Sequence, residues 1–208
     1  MIEPAQEFRK SVFREYAEAI IIALLLAFFI RTFVVQAFKI PSGSMIPTLL
    51  VGDHILVSKF AYGVRNPFSG EAWLELGEPQ RQDVIVFKYP QNPSQDYIKR
   101  VIGRPGDTVE IKDKVVYVNG ERIDDPHAVF LDERLYSADQ QPRDNFGPVT
   151  VAAEQLLVMG DNRDNSHDGR FWGMVDFRAV KGRAFMIYWS WDGEETAVRW
   201  SRLGNIIR

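Results

Sequence analysis

A continuous apolar run near the N-terminus dominates the hydrophobic pattern of the chain. All residues from Ala19 to Ile30 are apolar, and only three polar residues interrupt the 19 residues that end at Ala37. As a helix this segment would be about 28 Å long, close to the thickness of the hydrocarbon core of a bilayer. The pattern therefore predicts a membrane anchor over residues 19–37, after a leader of mixed charge over residues 1–18.

The residues alone leave two other interpretations of this run open. An uninterrupted run of 12 apolar residues is also typical of the core of a cleaved signal peptide. Arg9, Lys10 and Arg14 would then form its basic leader, and the segment that ends at Ala37 its cleavage site. The third interpretation is a helix buried in a soluble protein. For an anchor, the basic residues before the run favour a cytoplasmic N-terminus.

Beyond the apolar run the pattern becomes that of a β-rich domain. Pro41, Gly43 and Pro47 exclude a regular helix over residues 39–48. Short apolar or alternating runs predict strands at residues 55–57, 84–87, 97–102, 109–111, 115–118, 155–159 and 184–189. We therefore predict a mostly β domain over residues 38–208, built on a largely antiparallel sheet. Two segments rich in proline, glycine and charge, residues 62–82 and 120–148, are predicted to be long surface insertions.

Composition narrows the classes of function that the domain can have. The chain has 208 residues, enough for one domain with a hydrophobic core, and its formal net charge is −3. Without a basic excess, nucleic acid is not expected as a partner. The absence of cysteine excludes disulfides, zinc–thiolate sites and a cysteine nucleophile.

Ser44 lies in a loop that suits a nucleophile. It follows Gly43, which permits a tight backbone and leaves room for a substrate. The flanking residues Pro41 and Pro47 stiffen the loop and would hold the hydroxyl in place. From this segment alone, a plain linker between anchor and domain is the favoured interpretation.

Lys99 lies in a predicted strand where it can become a base. Alternation places it on one face with Tyr97 and Val101, and places Ile98 and Arg100 on the other face. Burial of the first face would disfavour the ammonium and lower the pKa of Lys99, so that a neutral amine becomes available. For a single strand lysine taken alone, the favoured interpretation is a solvated charge that protects a sheet edge.

A dense polar loop follows the strand at residues 155–159. Asp164, Ser166 and Asp168 have the spacing that begins a calcium loop, but the last ligand position falls on Val175 and no helices flank the loop. A turn whose side chains bond to its own backbone is the simpler interpretation. His54 and His167 offer bases for a Ser-His-Asp triad, but nothing in their local sequence marks either one as catalytic.

Taken together, these segments resemble the conserved boxes of bacterial type I signal peptidases. The nucleophile box is matched by residues 41–49, the lysine box by residues 97–107, and the third box by residues 160–166. Residues 84–90 match a further family segment. The resemblance covers residues from about 38 to 189, with the boxes in the family's order.

The resemblance implies a role for each matching residue. Ser44 is the expected nucleophile and Lys99 the general base, with Ser166 holding the lysine in place. The backbone N–H of Ser44 and the hydroxyl of Ser42 are the expected oxyanion hole. The positions that match the family's substrate pockets are Phe38, Ile40, Met45, Ile55, Val86, Tyr97 and Ile98. No cofactor and no metal ion are expected.

The resemblance also implies a location and partners. The expected substrates are secreted preproteins, cleaved after small residues in an Ala-x-Ala pattern. The expected location is the bacterial cytoplasmic membrane, crossed once, with the catalytic domain on the extracytoplasmic side and in contact with the lipid bilayer. Two rival functions are a soluble self-cleaving Ser-Lys peptidase and a membrane-tethered β scaffold without enzymatic activity.

Overall fold

A computed structural model describes residues 12–65 and 72–208 of the chain. One N-terminal helix precedes a domain made almost entirely of antiparallel strands, as the sequence predicts. The α-helices are α1, Val12–Phe29, and α2, Gly169–Trp172. A π-helical segment, Ile30–Val34, continues α1.

The strands are numbered in chain order. The first seven are β1 Val35–Lys39, β2 Asp53–Ser58, β3 Gly63–Arg65, β4 Ala72–Glu75, β5 Val84–Tyr89, β6 Asn92–Gly103 and β7 Thr108–Lys112. The others are β8 Val115–Val118, β9 Glu121–Arg122, β10 Phe146–Thr150, β11 Gln155–Met159, β12 Val175–Asp176, β13 Val180–Asp192 and β14 Ala197–Val198.

The N-terminal helix has limits different from those predicted for the anchor. It is already present at Val12 and ends at Val34, whereas residues 35–37, predicted as anchor, belong to strand β1. Helix and π-helical segment together form one apolar span of 23 residues, long enough to cross a membrane. No residue of α1 is buried against the domain, so the structure gives no support to a core helix of a soluble protein.

The main sheet brings the catalytic candidates together. Its strands are ordered β1-β2-β13-β5-β6-β11-β12, and β14 pairs with β13. Each side of this sheet carries a cluster of buried aliphatic residues, one that includes Ile55 and Val86 and one that includes Ile85 and Val101. A smaller sheet, β10-β7-β8-β9, packs its own core around Ile102 and Leu157.

The two predicted insertions differ in content. Within residues 62–82, β3 and β4 pair as a separate hairpin, and residues 66–71 lie outside the described part of the chain. Residues 120–148 contain the short β9 and the start of β10, with turns and irregular chain between them. Buried ion pairs hold this second segment on the domain, because Asp125 pairs with Arg163 and Arg143 lies 3.7 Å from Asp164.

Candidate active site

Ser44 lies in a turn between β1 and β2. The loop is closed at its base, because Ile40 N–H donates to Asp53 O and Gly52 N–H donates to Ile40 O. The neighbouring Met45 and Leu49 are fully buried in the core and fasten the loop from below. The Ser44 side chain itself is half-buried, so the loop presents the hydroxyl while its neighbours hold it.

Lys99 meets this hydroxyl from strand β6. Its Nζ atom lies 2.8 Å from Ser44 Oγ and donates a second hydrogen bond to Ile98 O at 2.9 Å. The two residues are 55 positions apart in sequence, so only the fold brings them together. As the alternation predicts, the ammonium lies beside Tyr97, 5.6 Å from the ring centroid.

Burial changes the acid–base character of Lys99. The residue is only 4% exposed, and this burial lowers its pKa to about 8, although the Asp168 and Asp161 carboxylates act in the opposite direction. A buried ammonium loses hydration that its few partners replace only in part. A useful fraction of neutral amine is therefore present near neutral pH, as a general base requires.

The loop after β11 directly supports the turn at residues 41–49, called the nucleophile turn after the role expected of Ser44. Asn162 N–H donates to Ser44 O at 3.1 Å, and Asn162 Nδ2 donates to Gly43 O at 3.2 Å. Gly160 is pressed against the same turn, because a methyl group there would overlap both Ser44 O and Ser166 Oγ. The sequence placed these two residues in the third box, but it gave no hint that they grip the backbone of the nucleophile.

A buried ion pair lies on the opposite face of β6 from Lys99. Arg100 binds Asp161 through two hydrogen bonds of 2.7 Å, and both side chains are 0% exposed. Asp161 also accepts a hydrogen bond of 2.5 Å from Thr48, four residues after the nucleophile. The pair therefore links the lysine strand, the nucleophile turn and the third box.

A second buried pair supports the third box from behind. Arg170 binds both carboxylate oxygens of Asp168, at 2.9 and 2.8 Å. Burial opposes the charge of Asp168, but Arg170 and the Gly160 N–H outweigh it and hold the pKa of this carboxyl below its usual range. Asp164 forms an ion pair with Lys114. The carboxylates of Asp164 and Asp168 therefore bind basic side chains, unlike the ligands of a calcium loop.

The two other serines predicted to take part lie close to the dyad, but their hydroxyl groups do not contact it. Ser166 is buried, and its hydroxyl interacts with the Asp168 carboxylate, whose pKa it helps to lower, but among the described residues it makes no hydrogen bond to Lys99. Ser42 is exposed two residues before Ser44. The Ser44 N–H donates no hydrogen bond within residues 12–65 and 72–208, which leaves it available to a ligand.

The predicted pocket residues fall into two groups. Ile40, Met45, Ile55 and Val86 belong to one buried core cluster, against which the half-buried Phe38 and Ile98 pack. Tyr97 lies apart from them, and its ring stacks on Tyr89 with 4.3 Å between the centroids. The four buried residues can form the floor of a pocket, whereas Phe38, Tyr97 and Ile98 can border it.

Neither histidine considered as a base contacts Ser44. His54 packs its ring against Tyr188 at 5.9 Å, and His167 packs against Phe171 at 5.2 Å. A buried amine, and not an imidazole, is therefore the basic group at the serine.

Comparison with known proteins identifies the family of this serine–lysine site. The family model described as signal peptidase, peptidase S26, matches residues 13–189. The chain belongs to this signal peptidase family. Signal peptidase I of Pseudomonas aeruginosa is 40% identical, with 92% of this chain and 78% of that protein covered. Signal peptidase I of Aquifex aeolicus is 36% identical, with 85% of this chain and 84% of that protein covered.

A crystal structure of a signal peptidase I from Enterococcus faecalis superposes with a TM-score of 0.43 and 30% sequence identity, covering 52% of this chain and 98% of that chain. As a signal peptidase, the chain is a serine endopeptidase, which confirms the predicted class of enzyme and excludes a scaffold without activity. The bacterial signal peptidase relatives and the one apolar helix among the described residues also fit a protein that crosses the inner membrane once.

Proposed function

We propose that this signal peptidase removes signal peptides from exported preproteins with a Ser44–Lys99 dyad, cutting after small residues in an Ala-x-Ala pattern. The contact of 2.8 Å between a buried lysine amine and the serine hydroxyl carries the proposal. Membership of the family supports the substrate class, and the geometry of the site supports the roles proposed for Ser44 and Lys99.

The reaction begins when the neutral amine of Lys99 takes the proton of the Ser44 hydroxyl. Ser44 Oγ attacks the scissile carbonyl and forms a tetrahedral intermediate. Lys99 then gives the proton to the leaving amine, and the acyl-enzyme forms. Water, activated by the same amine, hydrolyses this ester and releases the mature protein. Burial of Lys99 suits both steps, because a pKa of about 8 lets the group accept and return a proton.

The negative charge of the intermediate needs hydrogen-bond donors. The unpaired N–H of Ser44 is one, and the hydroxyl of Ser42, two residues earlier, is the other. Ser166 is buried beside the turn that carries Ser44, and its proposed role is to hydrogen-bond Lys99 in the working enzyme. Catalytic hydrogen bonds are often longer in an enzyme without substrate.

The substrate has an open strand edge to bind. Strand β11 pairs with β6 only from Arg100 to Gly103, whereas β5 pairs with β6 on the other side as far as Asn92. The edge of β6 at Tyr97, Ile98 and Lys99 is therefore free among the described strands. An extended peptide added here would lie beside the dyad, with alternate side chains directed toward the core cluster.

The apolar helix completes the proposal. We assign it to the lipid bilayer as a single anchor, with residues 38–208 as the catalytic domain on the extracytoplasmic side. The cytoplasmic side would then hold the N-terminal leader. This arrangement places the dyad where the cleavage site of an exported chain leaves the membrane, and it requires no cofactor, metal ion or nucleic acid.

The dyad is tested with purified full-length protein and a preprotein that carries an Ala-x-Ala site. We expect Ser44→Ala and Lys99→Ala each to abolish formation of the mature fragment, because nucleophile and base act as one unit. Lys88→Ala is the matched control, since this exposed lysine lies on the neighbouring strand β5. Cleavage by either dyad variant at the rate of the unmodified protein would refute the proposal.

Ser42 and Ser166 are tested in the same assay. We expect Ser42→Ala to lower kcat by about 10²-fold or more, as loss of one oxyanion donor does in other serine proteases. Ser166→Ala should be milder and should change the pH profile, because its proposed role acts through Lys99. A Ser166→Ala protein that is folded but inactive would show that the hydroxyl has a more direct part.

A further inference from the structure

The anchor helix and the catalytic domain are joined without a linker. The π-helical segment ends at Val34, and β1 begins at Val35 as the edge strand of the main sheet. Val35 pairs with Ser58 in the first register position of β1 and β2. The direction in which the helix leaves the sheet is therefore decided at one residue, and a joint of this kind needs additional contacts to be rigid.

The end of a helix leaves backbone carbonyls without partners. The last four C=O groups receive no hydrogen bond from the N–H groups of the helix. Leaving them unbonded near the apolar part of a membrane is costly. The carbonyl of Ile30, just before these four, receives a hydrogen bond from the chain itself, because Val35 N–H donates to Ile30 O. The next carbonyls along the chain, those of Arg31 and Thr32, depend on a residue from outside the helix.

Lys59 supplies these contacts from the end of β2. Its Nζ atom donates to Arg31 O at 3.1 Å and to Thr32 O at 2.9 Å. Its backbone N–H donates to Val34 O at 3.1 Å. Three hydrogen bonds from one residue thus hold the last turn of the span against the sheet. A positive charge is also favourable at the C-terminal end of a helix.

The environment of Lys59 is that of a structural contact. Burial first, and then repulsion from Lys181 and Arg31, lower the pKa of its ammonium. None of the hydrogen bonds or ion pairs found for the ammonium involves a carboxylate within the described part of the chain. Among the described residues, the ammonium of this half-buried lysine bonds only to backbone carbonyls, and it has no part in the proposed reaction of Ser44 and Lys99.

We propose that Lys59 is a positioning residue that locks the membrane span to the catalytic sheet and so fixes the height of the Ser44–Lys99 dyad above the bilayer. The inference rests on the proposed function. Only β1 and the start of the nucleophile turn separate the span from Ser44, and five strand residues extend about 17 Å at most. A cleavage site held in the membrane by its own signal helix would meet the dyad only if that height and direction are kept.

The test compares two substrates for the same full-length enzyme. One is a preprotein inserted with the enzyme in proteoliposomes, and the other is a short soluble peptide with the same cleavage site, assayed in detergent. We expect Lys59→Met to lower preprotein cleavage by on the order of tenfold to a hundredfold, because small misplacements of a reacting group have effects of this size. Soluble peptide cleavage and the melting temperature should stay within experimental error, because the dyad itself is not touched.

Two further variants separate positioning from a general effect of charge. Lys59→Arg keeps a cationic donor and should recover most of the preprotein cleavage. Lys88→Met removes an exposed lysine from β5 and should leave both substrates unaffected. If Lys59→Met slows both substrates equally, or neither of them, the positioning role is refuted.

A distance measurement tests the joint even if the substrate class proves wrong. The chain has no cysteine, so spin labels attached through Leu24→Cys in the helix and Arg178→Cys in the domain report one defined distance. We expect a narrow distance distribution in proteoliposomes that broadens on Lys59→Met. An unchanged distribution would overturn the lock, whereas failure of the unmodified enzyme to cut any preprotein would instead overturn the proposed function.

Discussion

At the scale of single residues, the site depends on keeping a lysine in a place where its charge is disfavoured. Lys99 is buried, and its nearest polar partners are the Ser44 hydroxyl and one backbone carbonyl. The carboxylates of Asp161 and Asp168 raise its pKa only in part, because both are already engaged by arginines. The arrangement lowers the proton affinity of the amine without removing the amine from reach of the serine.

The acid limb of the activity profile should therefore report Lys99. With a pKa of about 8, we expect kcat/KM to rise with pH through about 8, and to fall about tenfold for each pH unit below that value. Steady-state cleavage of a soluble peptide between pH 5 and pH 10 measures it. His54→Gln and His167→Gln are the controls. A limb that moves in either of these variants would identify a histidine as the base.

The same lowered pKa has a consequence for stability. The pKa of Lys99 in the folded protein, about 8, lies below the ordinary lysine value of 10.5. Below pH 8 the unfolded chain binds a proton that the folded site resists, so folding carries a cost of up to roughly 3 kcal/mol. This cost fades as pH rises from the folded toward the unfolded value.

We therefore expect Lys99→Met to be inactive but at least as stable as the unmodified protein at pH 7. Its advantage in the free energy of unfolding should shrink between pH 8 and pH 10. Urea denaturation of both proteins at several pH values measures the difference. A Lys99→Met protein that is clearly less stable at pH 7 would mean that the lysine is a charged structural partner.

Sequence reasoning went further for some residues of the site than for others. Ser44 and Lys99 each have a weak local signal, a hydroxyl between glycine and prolines and a lysine in an apolar alternating run, and the match of several boxes to one family singled them out. Asn162 and Gly160 act through backbone contacts to residues 43 and 44. Such contacts join segments far apart in the chain, and no local pattern encodes them.

At the scale of elements, the site is the meeting point of three segments with little freedom of their own. The nucleophile turn is held by core side chains below and by the loop after β11 beside it. Strand β6 contributes Lys99 on one face and Arg100 on the other, and Arg100 is joined to that same loop through Asp161. Fixing one element thus fixes the other two.

Gly160 gives a direct test of this contact. A methyl group there would overlap Ser44 O and Ser166 Oγ, so we expect Gly160→Ala to displace the nucleophile turn and lower kcat by about 10²-fold. The cost in unfolding free energy should be about 1–3 kcal/mol, as for other overpacked sites. Gly193→Ala is the matched control, because a methyl group at Gly193 meets nothing within 4 Å. Unchanged kinetics of Gly160→Ala would mean that the turn is not held there.

The elements that the sequence misplaced share one cause. Val35, Ala37 and Phe38 continue the apolar run of the helix, so hydropathy alone assigns the first two to the anchor. Pairing with β2 makes them a strand instead. Likewise β10 and β12 have weak patterns of their own and exist through pairing with β7 and β11. Strand pairing is a contact between distant segments, which a local pattern does not contain.

At the scale of the whole molecule, the helix is continuous with the sheet, but the helix needs an apolar environment and the catalytic domain needs water. No side chain of α1 is buried by the domain, and its large apolar residues are mostly more than half exposed. Such a helix is stable only with its apolar surface covered, and a span of 23 residues matches a bilayer. Cleavage of a signal peptide after Ala37 is disfavoured for another reason, because Ala37 is paired with Leu56 inside the sheet.

We therefore expect the complete chain to remain in the membrane after a wash with alkaline carbonate, and to have its full mass. Cleavage after Ala37 would remove the first three residues of β1 and their ladder to β2, leaving the strand that leads into the nucleophile turn largely unpaired. Mass spectrometry of the membrane fraction and of the supernatant distinguishes the outcomes. A soluble chain that begins at Phe38 and still cuts preproteins would show that the run is a removable signal. An intact chain that detergent, but not carbonate, releases would establish the helix as the permanent anchor of the catalytic sheet.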